Sequence, residues 1–206
     1  HERADAPLIN AGAIATSDRL LANSDADTTI ERIVDFMRTL ADDTSVCFDP
    51  VVAASEATAG SRNRSLAHFL SAFGNLTHPV ETVLKVYFHQ CALSMSCEQL
   101  ARAGLFLANK GVDPGTGNRV LSVERCRRIN SVMMLCGHYD NSGEFAFRVG
   151  LPGKSGVGGG ILAIAPGRGA AAAWSPALNR FGTSFAGSCA LEHFTDAANW
   201  SVFNNA

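Results

Sequence analysis

The spacing of apolar residues predicts a helical region over the first two-thirds of the chain. Apolar residues recur every three or four positions at Ile30, Ile33, Val34, Met37 and Leu40, as they do on one face of a helix. The same spacing returns in segments 66–73, 80–87 and 123–133. Ser96 and Gln99 have the spacing of a capping box at a helix start. These patterns predict a mostly helical lobe over about residues 1–138.

The pattern changes after Tyr139. In EFAFRVG, Phe145, Phe147 and Val149 alternate with polar or small residues, which is typical of a strand with one buried face. Two short apolar runs, 161–165 and 170–174, predict further strands joined by a turn at Pro166-Gly167. Helical spacing returns in 184–200, through Phe185, Cys189, Phe194 and Ala197.

The predicted fold class is therefore α/β in the α+β sense, with a mostly helical lobe, a small antiparallel sheet and a C-terminal helix. The sheet and terminal helix are predicted to occupy about residues 139–206, and residues 1–206 to form a single domain.

The charge and the cysteine content indicate which kinds of binding partner and which cellular location to expect. The net charge is -2, with both signs spread along the chain, whereas a nucleic-acid surface needs clustered Lys and Arg. No apolar run reaches the ~20 residues of a membrane-spanning helix, so we expect a soluble protein without a nucleic-acid or membrane partner. The six cysteines include no C-x-x-C pair or zinc spacing. They predict reduced, buried thiols and a cytoplasmic location.

The glycine-rich stretch LPGKSGVGGG, residues 151–160, poses the main chemical question. Gly153-Lys154-Ser155 matches the end of a phosphate-binding P-loop, but Arg148 stands where that loop needs its first glycine. GILAIA then indicates a strand, whereas a phosphate loop opens a helix. Gly158, Gly160 and Ala163 match the spacing of a dinucleotide-binding fingerprint, but they too lie in strand-like sequence where that fingerprint needs the start of a helix. We therefore interpret Lys154-Ser155-Gly156 as a [KH]-[ST]-G triplet on an edge strand beside a cleft, as in penicillin-recognising serine enzymes.

Several segments in order carry a family resemblance. They are PLINAGAI from Pro7, SEATAGSRNRSLA, YFHQC, CGHYDNSGEFAFRVGLPGKSGVGGGI and SPALNRFGTSFAGSCALE. From about Pro7 to Phe203 the chain resembles the serine-dependent glutaminases, a family with the β-lactamase or penicillin-binding type of fold. The resemblance implies hydrolysis of L-glutamine to L-glutamate and ammonia through a serine acyl-enzyme. It also implies no metal or organic cofactor and leads us to expect a homo-oligomer, a dimer or tetramer.

The resemblance assigns substrate-binding roles by matching motifs. These residues are Asn10, Glu56, Asn63, Tyr87, Tyr139 and Val157. Glu56 suits the ammonium of free glutamine, while amides and a tyrosine hydroxyl suit its carboxylate, and Val157 would contribute its main chain.

Tyr87 and Tyr139, the only tyrosines, are the candidate catalytic proton relays. A relay of this kind needs a depressed phenol pKa, and Lys154 is predicted to supply the supporting positive charge.

The nucleophile of the family belongs to an S-x-x-K motif, and no serine in these 206 residues has lysine three positions later. Two explanations stay open at this point. The chain is a C-terminal piece of a longer glutaminase whose nucleophile lies upstream, or it comes from a diverged, non-catalytic relative. On the first explanation, the 206 residues help to bind glutamine but do not hydrolyse it alone.

Other interpretations remain open from the residues themselves. Asn10 could cap a helix, Asn63 could be a solvated helix residue, and Glu56 could be a first-turn charge. Tyr87 lies on an apolar stripe, where core tyrosines are common, and His138 is taken as structural or exposed. The alternative functions are a glutamine-binding module without hydrolysis and a penicillin-interacting hydrolase of the same fold.

Overall fold

Helices dominate the first part of the chain and a small antiparallel sheet lies in the second, in a computed structural model that describes residues 9–203. Pro7 and Leu8 of PLINAGAI, and both ends of the predicted domain, lie outside the described residues. The described chain divides into two units, residues 9–38 with 44–94, and residues 39–43 with 95–203. The prediction of a single domain stays a prediction.

The first unit is built from helices and one short strand pair. Its helices are α1 (Ala11–Leu21), α2 (Ala26–Ala41, of which residues 39–41 fall in the second unit), α3 (Pro50–Ala59), α4 (Ser61–Ala72) and α5 (Val80–Cys91). Strands β1 (Cys47–Phe48) and β2 (Leu93–Ser94) pair antiparallel. α5 is the central helix, because Val83, Leu84 and Val86 are fully buried and α1, α3 and α4 all pack on it.

A buried carboxylate fixes the loop that leads into α5. Asp18, on α1, is fully buried and accepts hydrogen bonds from the backbone amides of Thr77 and His78 and from the Thr77 hydroxyl. His78 Nδ1 lies 2.9 Å from the Asp18 carboxylate, and its Nε2 lies 2.9 Å from the Ala22 carbonyl oxygen. Both of these partners accept hydrogen bonds, so the arrangement favours the doubly protonated imidazolium. The hydrogen bonds to Asp18 and Ala22 raise the pKa of His78.

The second unit places helices around a three-stranded sheet. Its helices are α6 (Cys97–Ala108), α7 (Val123–Cys136), the 3-10 helix Tyr139–Asn141, α8 (Ser142–Val149) and α9 (Phe185–Ala198). The strands are β3 (Gly153–Ser155), β4 (Gly160–Ala165) and β5 (Gly169–Trp174), in the antiparallel order β3-β4-β5. The predicted small antiparallel sheet and terminal helix are confirmed, as are the strands on either side of Pro166-Gly167.

The central strand β4 is buried on both faces. Ile161, Ala163 and Ala165 pack with residues of α8 and α9, whereas Leu162 and Ile164 face α6. α6 approaches the sheet closely at Gly104, where an added Cβ would lie 2.9 Å from the Leu162 side chain. Because both faces of β4 are packed, its sequence is a continuous apolar run and does not alternate between apolar and polar residues.

The predicted strand over EFAFRVG is wrong, because residues 142–149 form helix α8. Phe145 and Val149 are buried four residues apart, one helical turn, while Phe147 is 81% exposed. Gly150, in the left-handed region with φ 66°, then ends the helix. Helical structure therefore continues past residue 138, and the strands of the sheet begin at Gly153 rather than at about 139.

The prediction that the cysteine thiols are buried is wrong for most of the six cysteines. Cys126 is buried, whereas Cys47, Cys91, Cys97 and Cys136 are exposed. Within residues 9–203, no helix is both long enough and apolar enough to cross a membrane.

The turn after α7 is held against β3 by a buried ring pair. His138 is 1% exposed and stacks on Phe145, with ring centroids 3.5 Å apart and planes inclined by 15°. Gly153 of β3 lies against both rings, since an added Cβ would be 2.7 Å from His138 Nε2 and 2.7 Å from Phe145 Cε1. The backbone amide and hydroxyl of Ser155 both donate to the Gly137 carbonyl, at 3.0 and 3.3 Å. These contacts fix the position of the 137–139 turn relative to β3.

Replacement of His78 by glutamine should give a pH-dependent loss of stability. Because folding raises the His78 pKa, its contribution is fully present below the ordinary histidine value of about 6.5 and is lost as pH rises through the raised value. Urea unfolding should therefore show a larger difference between wild type and His78→Gln at about pH 5.5 than at about pH 9. His68→Gln, at an exposed position, is the control and should show little difference at either pH. A His78→Gln difference that is constant with pH would contradict the assignment.

Replacement of Gly153 by alanine should destabilise the protein by about 1–3 kcal/mol, the usual cost of overpacking a core. The reason is the 2.7 Å approach of the new methyl group to two buried rings. The matched control is Gly156→Ala, where the nearest atom would lie at 3.9 Å and the free energy of unfolding should change by less than about 0.5 kcal/mol. Denaturant unfolding of both variants measures the difference, and equal stabilities would refute the packing argument.

Candidate functional site

Asn10 and Asn63 form a pair in the first unit. Asn10 occupies the N-cap position of α1 in the left-handed region, with φ 76°, but its side chain makes no capping hydrogen bond. Its amide nitrogen instead donates to Asn63 Oδ1 at 3.1 Å. Asn63 is buried in the first turn of α4, so its interpretation as a solvated helix residue is wrong. Two amides brought together from distant parts of the sequence can present further donors and acceptors to a polar ligand.

Glu56 and Tyr87 are both near Cys91 in the same unit. Glu56 is half-buried on α3, which packs on α5, and Tyr87 is buried on α5 one turn before Cys91. Although Cys91 as a residue is exposed, desolvation of its sulfur raises the pKa of the thiol. A hydrogen bond with Tyr87 opposes this rise, and the negative charge of Glu56 adds to it. The structure thus gives a carboxylate and a phenol in one neighbourhood.

Gly60, the single residue between α3 and α4, lies between Glu56 and Asn63 in the chain. At Gly60, an added Cβ would lie 2.6 Å from the Glu56 carbonyl oxygen and 2.7 Å from the Phe88 ring. A larger residue there would have to displace the Glu56 carbonyl and the end of the buried Phe88 ring of α5. The segment from Glu56 to Asn63 is therefore positioned by its packing on α5.

Lys154 and Tyr139 lie together in the second unit. Lys154 Nζ is 4.8 Å from the centroid of the Tyr139 ring, within the range of a cation–π contact. Tyr139 adopts the left-handed region, with φ 54°, and its carbonyl accepts a hydrogen bond from the Ser142 hydroxyl. Although Lys154 as a residue is exposed, desolvation of its ammonium lowers the pKa of that group, which also donates to the Ser155 carbonyl. The predicted proximity of Lys154 to a tyrosine is thus observed for Tyr139.

The glycine-rich stretch has the geometry of an edge strand followed by a turn. Lys154 and Ser155 lie on β3, at the edge of the sheet, and β4 follows where a phosphate loop would require a helix. Val157 is at the tip of the turn between β3 and β4, with its side chain 68% exposed. The edge position of this segment among the described strands is confirmed, and the cleft beside it stays a prediction.

Ser155 is unsuited to act as a nucleophile. Its hydroxyl is buried, donates to the Gly137 carbonyl and lies 3.5 Å from the Thr183 hydroxyl, which donates to it. Its role is to hold β3 to the preceding turn.

His138, which was expected to be structural or exposed, precedes Tyr139 and is a buried residue stacked on Phe145. Burial, with a smaller contribution from the charge of Lys154, lowers its pKa to about 3, so the imidazole is neutral at physiological pH. Within the described part of the chain, neither ring nitrogen has a hydrogen-bond partner. In the sequence, His138 stands directly before Tyr139 in the CGHYDNSGEF segment, but no ligand or catalytic spacing distinguishes it, and its stacking partner Phe145 lies on a segment with strand-like alternation.

The predicted residues thus form two groups, one in each unit. Asn10, Asn63, Glu56 and Tyr87 belong to the first, and Tyr139, Lys154 and Val157 to the second. Their assignment to one cleft, and their individual roles, stay predictions. In residues 9–203, no cluster of His, Cys, Asp and Glu is arranged to hold a metal ion.

A cavity of about 400 Å³ also lies in the second unit, between α8, α9 and residues 179–181. Arg148, Arg180, Phe185 and Cys189 are among the residues that line it. None of the predicted site residues lines this cavity, and Arg148 is already paired with Glu192.

Comparison with known proteins identifies relatives of the whole described chain. The family model called Glutaminase matches residues 1–203. A protein of Psychrobacter cryohalolentis named glutaminase is 57% identical over 199 residues, which cover 97% of this chain and 65% of that protein. This chain therefore spans less than two-thirds of the length of that relative.

Solved structures agree with this relationship. A probable glutaminase of Bacillus subtilis complexed with 6-diazo-5-oxo-L-norleucine is 33% identical, with a TM-score of 0.88, covering 96% of this chain and 66% of that one. A structure of Mglu in its glutamate form is 35% identical, with a TM-score of 0.89, covering 96% of this chain and 45% of that one. Because the family model covers residues 1–203 and the helices and small antiparallel sheets match those of solved glutaminases, the chain belongs to the glutaminase family.

Proposed function

We propose that the complete protein is a glutaminase that hydrolyses L-glutamine to L-glutamate and ammonia, with a fold of the β-lactamase type. The observation that carries this proposal is the family match over residues 1–203. Two relatives support the substrate class, since their structures hold glutamate in one case and the glutamine analogue 6-diazo-5-oxo-L-norleucine in the other. A cytoplasmic location and assembly into a dimer or tetramer belong to the same proposal.

In the first unit, the proposed role is recognition of the amino-acid end of glutamine. The half-buried Glu56 carboxylate neutralises the α-ammonium, and a charge-assisted hydrogen bond of this kind is stronger than a neutral one. The Asn10 and Asn63 amides, already held 3.1 Å apart, donate to the α-carboxylate. The buried Tyr87 hydroxyl serves as a donor and a candidate proton relay.

In the second unit, the proposed role is support of proton transfer. The Lys154 ammonium beside the Tyr139 ring favours the transient development of negative charge on the phenol. The turn after β3 presents the main chain of Val157 to the substrate, in the manner of an edge strand that binds an extended ligand.

The proposed chemistry is nucleophilic catalysis in two steps. A serine oxygen of an S-x-x-K motif attacks the side-chain amide carbon, and ammonia leaves with the proton supplied by the relay. Water then hydrolyses the γ-glutamyl ester, which releases glutamate and restores the serine hydroxyl. No serine among these 206 residues has lysine three positions later, so the proposed nucleophile belongs to the complete protein and not to this stretch.

The complete protein should release ammonia from L-glutamine, and 6-diazo-5-oxo-L-norleucine should block that release by covalent attachment. Peptide mapping by mass spectrometry should place the label on a serine of an S-x-x-K sequence. A label on Ser155 would contradict the assignment of that residue as a buried structural hydroxyl. Binding of glutamine without ammonia release would favour a non-catalytic relative, and covalent labelling by a β-lactam would favour a penicillin-interacting hydrolase.

Replacement of Glu56 by glutamine should lower kcat/KM for glutamine by roughly 10- to 100-fold, because a hydrogen bond to a charged group contributes about 1.5–3 kcal/mol. The matched control is Glu124→Gln, at an exposed first-turn position of α7, which should keep wild-type kinetics. Steady-state ammonia assays compare the two variants. Wild-type kinetics in Glu56→Gln would remove Glu56 from the proposed site.

A further inference from the structure

The turn between β3 and β4 is closed by hydrogen bonds that its own backbone supplies. The Gly156 amide donates to the Gly160 carbonyl at 2.9 Å, and the Gly159 amide donates to the Gly156 carbonyl at 3.0 Å. Neither of these bonds uses the amide or the carbonyl of Val157. The turn is therefore shaped by its glycines, while the main chain of Val157 lies at its tip.

The end of β5 adds a second set of contacts to the same turn. Trp174 pairs with Gly160 across the sheet, and its indole Nε1 donates to the Gly158 carbonyl at 2.8 Å. The next residue, Ser175, donates its amide to the Gly159 carbonyl at 3.1 Å. Two consecutive carbonyls of the turn are thus held by two consecutive residues of the neighbouring strand end.

The exposure of Trp174 makes a purely structural role a poor explanation. Its side chain is 61% exposed, so burial of the ring contributes little to the core. The indole ring is rigid, and its N–H donates one hydrogen bond to the turn. A phenylalanine at this position would give the same kind of surface without that donor.

Gly159 lies at the point where the turn closely approaches the end of β5. Its φ of 94° lies in the region that favours glycine, and an added Cβ would be 2.3 Å from the Ser175 carbonyl oxygen and 3.3 Å from Trp174 Nε1. The turn therefore rests directly on the Trp174-Ser175 backbone, and a displacement of that strand end moves residues 157–159.

We propose that Trp174 is a positioning residue for substrate binding, which holds the main chain of Val157 in its binding orientation through the hydrogen bond to Gly158. This inference rests on the proposed function, because it assumes that Val157 contacts glutamine. Trp174 acts only through the turn. A contact of this kind is the same in the ground state and the transition state, so its loss raises KM and leaves kcat nearly unchanged.

The test compares Trp174→Phe with wild type in the complete protein. Trp174→Phe should raise KM for glutamine about 3- to 10-fold, the range expected for one lost hydrogen bond, with kcat changed less than about twofold. Hydrogen–deuterium exchange should be faster in a peptide spanning 156–160, and the thermal midpoint should stay close to that of wild type. Calorimetric titration with L-glutamate should show a matching loss of affinity.

Two further variants make the result specific. Trp200→Phe removes the only other tryptophan, which packs on Phe194 and Gly169, and should leave KM unchanged. Gly159→Ala disturbs the same turn from the Ser175 side and should raise KM in the same direction as Trp174→Phe.

The outcomes separate this inference from the proposed function. A wild-type protein that releases ammonia, together with a Trp174→Phe variant of unchanged KM, overturns the positioning role and leaves the glutaminase proposal intact. An equal KM rise in Trp200→Phe also overturns it, because the effect would then be general to the unit. A wild-type protein that neither releases ammonia from glutamine nor binds glutamate overturns the proposed function and this inference together.

Discussion

The junction between the Gly137 carbonyl and Ser155 is the constraint on which the second unit depends. This single oxygen accepts both the amide and the hydroxyl of Ser155, so β3 and the turn before Tyr139 cannot move independently. As a result Lys154, the residue before Ser155, lies over the Tyr139 ring, and the turn that carries Val157 begins at a fixed point. The buried Ser155 hydroxyl holds two segments together, which is a different task from the nucleophilic one proposed for the serine of an S-x-x-K motif.

Much of the architecture could be predicted from the sequence because helical periodicity and capping signals are local. The Ser96–Gln99 capping box is present as predicted, and α7 begins after Ser122. The failure at α8 has a physical cause. Phe145, Phe147 and Val149 satisfy a two-residue alternation, and only burial shows that Phe147 faces solvent while the other two lie one helical turn apart. Helix α9 is present as predicted, but it buries Gly187, Leu191 and Thr195, whereas Phe185 and Phe194 are exposed.

The sequence was enough to predict which residues are candidates for the site. It was not enough to predict which of them contact each other. Motif matches gave Asn10 and Asn63, but their hydrogen bond joins positions 53 residues apart, and only the packing of the first unit brings them together. His138 illustrates the opposite case. Its two ring nitrogens are buried and have no hydrogen-bond partner among residues 9–203, an arrangement that costs free energy and that a sequence gives no means of detecting. Burial, together with the positive charge of Lys154, lowers the pKa of His138, so its ring is neutral.

The contact of Gly153 with the His138–Phe145 stack has an evolutionary consequence. Gly153, His138 and Phe145 share one packed volume, so a methyl group at 153 avoids overpacking only when the ring at 138 or at 145 becomes smaller. Substitutions at these positions are therefore epistatic, and the order in which they arise decides which are tolerated. A larger residue at one of these positions therefore costs less stability when a smaller one already stands at another.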